Sequence, residues 1–178
     1  MIRKERGVHV KILVRRAIQS DTRDIYDITQ EAFTKYAEDL GNNKKIAALN
    51  ETIESIEQDL YKKHVFIGFL DGVPIGSIRF EIFPGNVVYI SRFGVKLDGQ
   101  RCGMGHALME TVETECIKMG AYSITLHTAS KMTSLMRFYY GLGYFVHSTS
   151  TARGYIRAFL CKELVQTDQI ELGAVMQL

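Results

Sequence analysis

"VKLDGQRCGMGHALMETVETECIKMG", residues 95–120, places three glycines, Gly99, Gly103 and Gly105, within seven positions between an apolar run and a long amphipathic pattern. Glycine tolerates φ > 0 and lets other groups approach the main chain closely. That freedom has a use at the mouth of a helix. The first turn carries N–H groups without intrahelical partners and the positive end of a dipole, which together suit an anion. Met104, Ala107, Leu108, Val112, Cys116 and Met119 form one helical stripe that Gly120 stops, so the glycine loop opens a helix over about 104–119. The expected guest is a phosphate.

Outward from this loop the period changes. On its N-terminal side "VVYISRFGV" (87–95) reads as a strand, preceded by the turn "PGN" (84–86). Before that, "HVFIGFL" and "VPIGSIRFEI" flank Asp71–Gly72, a dipeptide that supplies φ > 0 for a tight hairpin. Further back, Ile46, Leu49, Ile53, Ile56 and Leu60 follow helical spacing, so the pattern predicts one helix over 46–60. "GNNKK" (41–45) separates it from a first helix that Ser20 and Asp21 cap and Ile25, Ile28, Ala32, Phe33, Tyr36 and Leu40 continue, behind a strand "VKILVRRAI" (10–18). C-terminal to the loop come a strand "SITLH" (123–127), a short helix "SLMRFYYGL" (134–142) and two strands, "YFVHSTS" and "YIRAFLCKEL". The reading is an α/β (α+β) fold, a single mixed, mostly antiparallel sheet flanked by helices. We expect one domain over 1–178 with its core at about 10–163 and the tail 165–178 unassigned.

Composition narrows the classes. The chain has 178 residues, 46% of them hydrophobic, and a formal net charge of +2, which suits one globular domain. Its basic pairs Arg15–Arg16, Lys44–Lys45 and Lys62–Lys63 are scattered, so no nucleic-acid surface is expected. No stretch approaches the roughly 18 apolar residues of a membrane span, and the basic start lacks a cleavage site. Cys102, Cys116 and Cys161 show no metal-ligand spacing and read as reduced thiols of a cytoplasmic protein, without a metal.

Two familiar phosphate cradles fail on spacing. Counting a P-loop from Gly99 puts Met104 where the second glycine belongs, and a dinucleotide fingerprint from Gly103 reaches Leu108 in place of its third glycine. What remains is Gln100-x-x-Gly103-x-Gly105, after a strand and opening a helix. It resembles the acyl-CoA signature [Q/R]-x-x-G-x-[G/A] of the GNAT superfamily of N-acetyltransferases. About 35 residues on, "FYYGLGY" (138–144) is similar to that superfamily's F-Y-x-x-x-G-[F/Y]. The order of elements from about 10 to 163 agrees as well. Five positions depart from the family's habit: Leu97 stands for Pro, Arg101–Cys102 for Gly–Lys, Met132 for Asn, and Ser91 for a Glu.

The resemblance implies acetyl transfer from acetyl-CoA to a primary amine by direct attack, with a small-molecule or peptide amine as acceptor. It implies a cofactor site built from Phe93, Gly94, Val95, Gln100, Arg101, Cys102, Gly103, Met104 and Gly105. Backbone N–H groups from Arg101 to Gly105 would hold the pyrophosphate, and the strand at Phe93–Val95 would splay and bond the pantetheine; Gly94 suits a bulge there. Tyr139 is the expected general acid for the leaving thiolate, with Tyr140 as its fallback. Glu81 and His127 are the candidate bases, since an amine of pKa ~10.4 must lose a proton before it attacks. The alternative is a silent CoA-binding regulator, which the missing Glu at Ser91 keeps in play. Acids on the first two helices, among them Asp39, Glu51 and Asp59, would favour a polyamine or aminoglycoside if they line the acceptor cleft. A homodimer is left open.

Overall fold

Asp71 (φ 50°) and Gly72 (φ 84°) both adopt left-handed backbone and close the hairpin between β2 (His64–Leu70) and β3 (Val73–Phe83). Gly85 and Asn86 do the same between β3 and β4 (Val87–Val95). A computed structural model describes residues 11–41, 46–166 and 172–178. The expected start of the first strand at Val10 and the loop residues 42–45 lie outside the described residues. Described β1 (Ile12–Arg16) pairs with β2, and the remaining strands are β5 (Ser123–Ala129), β6 (Phe145–Ser150) and β7 (Arg157–Glu163).

The seven strands form one sheet in the order β1-β2-β3-β4-β5-β7-β6, and every pairing is antiparallel except β4 with β5. On one face lie α3 (Met104–Lys118) and α4 (Thr133–Gly141), whose Leu108, Val112 and Met136 pack with Ile78, Phe80, Val88 and Leu126. The other face carries α1 (Thr22–Leu40) and α2 (Ile53–Lys62), whose Ile25, Ile28 and Ile56 bury Val65 and Ile67. The alternation of Val65, Phe66 and Ile67 between these clusters is the period-two signature of a sheet covered on both sides. Gly76 permits α3 to approach: a Cβ there would stand 2.8 Å from Leu108. No helix among the described residues is long and apolar enough to cross a membrane. In the tail, Leu172 and Val175 pack on Val87, Phe159 and Cys161.

Two expectations are corrected. The helix predicted over 46–60 is broken: a 3-10 turn at Ala47–Asn50 precedes α2, which starts only after Thr52. Thr52 accepts from the Ser55 amide at 3.2 Å, and Ser55 Oγ accepts from the Thr52 amide at 3.0 Å. This reciprocal cap fixes a new start. The spacing runs through the break because its two halves serve different clusters, Ile46 and Ala48 with Ala37 and Leu40, Ile56 with Ile25 and Ile28. At α1, Asp21 makes no side-chain cap to the helix. Its carboxylate instead accepts from the Ile18 amide at 2.8 Å and from both Arg15 Nη atoms at 2.7 and 2.8 Å, tying β1 to the helix start. Arg15 accordingly holds the Asp21 carboxyl below its ordinary pKa.

Candidate active site

The parallel pairing of β4 with β5 covers only Val87–Tyr89 against Ser123–Thr125. Beyond Tyr89 the two strands part. The divergence has a local cause in β4, where Ser77 faces Gly94 but Arg79 faces Ser91, so three steps on β4 span two on β3. The extra residue is Arg92, at φ 51°. Gly94, expected to mark the bulge, does not carry the left-handed backbone. It is glycine because a Cβ there would lie 2.9 Å from Ala32 Cβ on α1.

Arg92 is held in this conformation by charge. Its Nε donates to Glu51 Oε1 at 2.6 Å, and the same carboxylate takes both Nη atoms of Arg79 at 2.8 and 2.9 Å. Arg79 is fully buried and also bonds Asp59 at 2.7 Å. Glu51 and Asp59, expected as candidates for an acidic acceptor cleft, are therefore spent on arginines of the sheet.

Between the parted strands lies a cleft of about 760 Å³, lined from both faces of the sheet. At one end is the glycine loop. A 3-10 turn at Leu97–Gly99 uses the Gly99 and Gln100 amides internally, through Lys96 and Leu97 carbonyls. Arg101 (φ 66°) and Gly103 (φ 94°) then turn the chain into α3. Gly103 is the N-cap and brings no side chain to the first-turn amides, which leaves them without a side-chain cap. Gln100, Arg101, Gly103, Gly105 and the exposed His106 line the cleft, as do Phe93, Gly94 and Val95. Cys102 and Met104 do not: Met104 is buried under α3, and Cys102 Sγ donates to the Gly99 carbonyl at 2.7 Å. The departure at Leu97 has a use, since its N–H donates to Glu31 Oε1 at 2.7 Å and ties the loop to α1, a bond proline cannot make.

The predicted catalytic residues separate. Tyr139 lines the cleft, is 5% exposed and packs edge-on to Phe93, Phe138 and Tyr144. Burial raises its phenol well above the ordinary value, so it stays protonated. Tyr140, one residue on, is 51% exposed and outside the cleft. Glu81 is not brought to it either. It sits on β3 paired with Lys63 at 3.2 Å, and it does not line the cleft. His127 does, with Nδ1 3.1 Å from the Tyr89 hydroxyl. Burial, then Arg157 and Arg153, push its pKa down to about 4. Cys116 and Cys161 are buried in the core, where burial pushes their thiols up to about 12 and about 11, and neither reaches the cleft.

The far half of the cleft contains residues that sequence reasoning missed: Tyr36, Tyr89, Arg153, Tyr155 and Arg157. Tyr36 oxygen accepts from the Ala129 amide at 2.9 Å, pinning α1 to the end of β5. The stretch "ARGYIR" (152–157), two arginines flanking a tyrosine in a turn, was the available signal.

Solved structures share this fold. PaiA N-acetyltransferase from Thermoplasma acidophilum, in complex with coenzyme A, superposes with a TM-score of 0.77 at 18% identity, over 86% of this chain and 99% of that one. YncA, a putative acetyltransferase from Salmonella typhimurium with its cofactor acetyl-CoA, gives 0.70 at 18% identity, over 90% and 98%. A ribosomal-protein-alanine N-acetyltransferase from Brucella melitensis gives 0.69 at 16% identity, over 85% and 99%. At these identities the likeness is one of fold. No curated protein matches the sequence. The profile of the Acetyltransferase (GNAT) family matches residues 22–144, from the start of α1 to the end of the second motif. The chain belongs to the acetyltransferase (GNAT) family.

Proposed function

We propose that the protein moves an acetyl group from acetyl-CoA to a primary amine by direct attack. The observation that carries this reading is the uncapped start of α3, turned by Arg101 and Gly103, opening into the same cleft as the parted strand at Phe93–Val95 and the buried phenol of Tyr139. The residues fit the donor. First-turn amides and Arg101 suit a pyrophosphate, each dipole or charge contact being worth roughly 0.3–1 kcal/mol. Main-chain groups of Phe93–Val95 beyond the last β4–β5 pair are available to the pantetheine.

In the reaction the neutral amine nitrogen forms a bond to the acetyl carbonyl carbon and the carbon–sulfur bond breaks. The thiolate takes a proton, and the amine gives one up. Tyr139 is the proposed proton donor to sulfur: its phenol is held protonated and faces the cleft. His127, neutral and beside Tyr89, is the proposed acceptor of the amine's proton; Glu81 is withdrawn from that role by its position. A second reading, a CoA-binding regulator without turnover, draws on one observation. The only carboxylate among the described lining residues is Asp39, and it is paired with Lys35.

The test is thiol release from acetyl-CoA across amines, together with acetyl-CoA binding to Gly103→Val. Release with any amine removes the regulator. A β-branched residue at φ 94° is strained and would disturb the amides, so a folded variant should lose acetyl-CoA binding. Unchanged binding would take the donor site away from the loop.

A further inference from the structure

The charge in the cleft is uneven. Its lining includes Lys35, Arg92, Arg101, Arg153 and Arg157 against Asp39 alone. Lys35 is paired with Asp39, and Arg92 with Glu51. Arg101 stands on the glycine loop. Arg153 and Arg157 stand in the turn before β7 and on its first residue, and among the described residues neither pairs with an Asp or Glu side chain. What they hold instead is an oxygen. The main-chain oxygen of Leu178 lies 2.6 Å from Arg153 Nη2 and 3.5 Å from Arg157 Nη1. That oxygen, on the last residue of the chain, stands in for a ligand's acceptor oxygen, and both guanidinia converge on it.

The neighbours of this pair are polar as well. The Tyr89 hydroxyl is 3.1 Å from His127 Nδ1, and Tyr155 lines the same wall. The field of the two arginines reaches this wall, because both contribute to the lowered pKa of His127. A second cation entering here would be repelled, which removes the polyamines and aminoglycosides that an acidic cleft would have favoured. An anion would be drawn in, and guanidinium forks match the two oxygens of a carboxylate.

We infer that Arg153 and Arg157 form an acceptor subsite for a carboxylate, so that the amine acetylated by this protein belongs to a small molecule that also carries a carboxylate, such as an amino acid or short peptide. This rests on the acetyl-transfer reading above. The transfer itself is unchanged: the same nitrogen–carbon bond forms, the same carbon–sulfur bond breaks, and the carboxylate remains intact as a handle.

The experiment compares free amino acids and dipeptides with their carboxamides, and with spermidine and an aminoglycoside, by thiol release from acetyl-CoA. Acetyl-CoA binding is measured separately by titration. The free acid should be preferred by at least about tenfold in kcat/KM, mostly through KM. Arg153→Gln and Arg157→Gln should erase that preference while leaving the affinity for acetyl-CoA unchanged, and Arg157→Lys should restore part of it. The inference is overturned by acid and amide equally good, by a preference that survives in both Gln variants, or by release only with polycations. If the arginines merely latch the segment ending in Leu178, the variants lower the melting temperature and leave the acid-to-amide ratio alone, which also overturns it. Acetyl-CoA binding with no release from any carboxylate-bearing amine overturns this inference but not the donor site. Absence of acetyl-CoA binding overturns both.

Discussion

Adjacent residues on α4 meet different surroundings, and the chemistry turns on which one faces in. Tyr139 is buried against Phe93, Phe138 and Tyr144, whereas Tyr140 points to solvent, as the ~100° step between neighbouring helix positions requires. Tyr139→Phe should therefore leave acetyl-CoA affinity nearly intact and lower turnover about 10- to 1000-fold, while Tyr140→Phe changes neither. A loss confined to Tyr140→Phe would reverse the assignment. His127 gives a second residue-scale expectation. With its pKa pushed down to about 4, the imidazole is uncharged throughout neutral and alkaline pH. The acceptor kcat/KM should then rise with pH along the ionisation of the amine itself, about 8 for a peptide α-amine and ~10.4 for a lysine, with no step near the ordinary histidine value. A step near that value that vanishes in His127→Asn would contradict this. The same lowering bears on stability, because the unfolded chain binds the proton first. The contribution of His127 is complete above pH 6.5 and is lost as pH falls through about 4. The melting temperature of the wild type should therefore drop more steeply over that interval than that of His127→Asn.

At the scale of elements, the open edge of β4 depends on one carboxylate reached from the turn before α2. Glu51 neutralises Arg79, which is fully buried, and holds Arg92 at its left-handed backbone. Removing one partner of a buried pair leaves an uncompensated charge, so Glu51→Ala should cost about 3–5 kcal/mol in denaturant unfolding. It should also raise the KM for the acceptor, because the bulge loses its anchor. A variant as stable as the wild type would mean that Asp59 alone balances Arg79. These elements differ in how far they could be read in advance. The Asp71–Gly72 hairpin and the α3 start were legible, because turn residues and a helical stripe are local signals. The break at Thr52 was not, since the apolar spacing continues across two separate clusters. In the sequence Gly94 marks a bulge as readily as a weak strand, since glycine suits both. In the structure a guanidinium held by Glu51 sustains φ 51° at Arg92 instead.

Across the whole molecule, the two halves of the cleft have different origins. The proposed donor half comes from two compact motifs, residues 93–105 and 138–144, which one sequence carries in plain view. The proposed acceptor half joins Tyr36 of α1, Tyr89 of β4, His127 of β5 and the turn at 153–157, which the insertion of β7 beside β5 brings together. That strand order is a long-range property with no local signature, which is why the arginines do not stand out in the sequence, where the acids of the first two helices read as a solvated face or as a cleft lining. The proposed donor site also has a consequence for the fold as a whole. Acetyl-CoA at a hundredfold over its dissociation constant should stabilise the protein by about 2.7 kcal/mol. The sharpest probe is His106, exposed on the first turn of α3 and lining the cleft. Glutamate there suits the helix start, by roughly 0.3–1 kcal/mol, and opposes a phosphate at the same place. Titration calorimetry of acetyl-CoA into the wild type and His106→Glu, with an unfolding curve for each, reads both effects. The expected result is an apo protein at least as stable as the wild type whose acetyl-CoA affinity is at least about tenfold weaker. Equal affinity in the two proteins, or no binding to the wild type, would contradict a donor site at the start of α3.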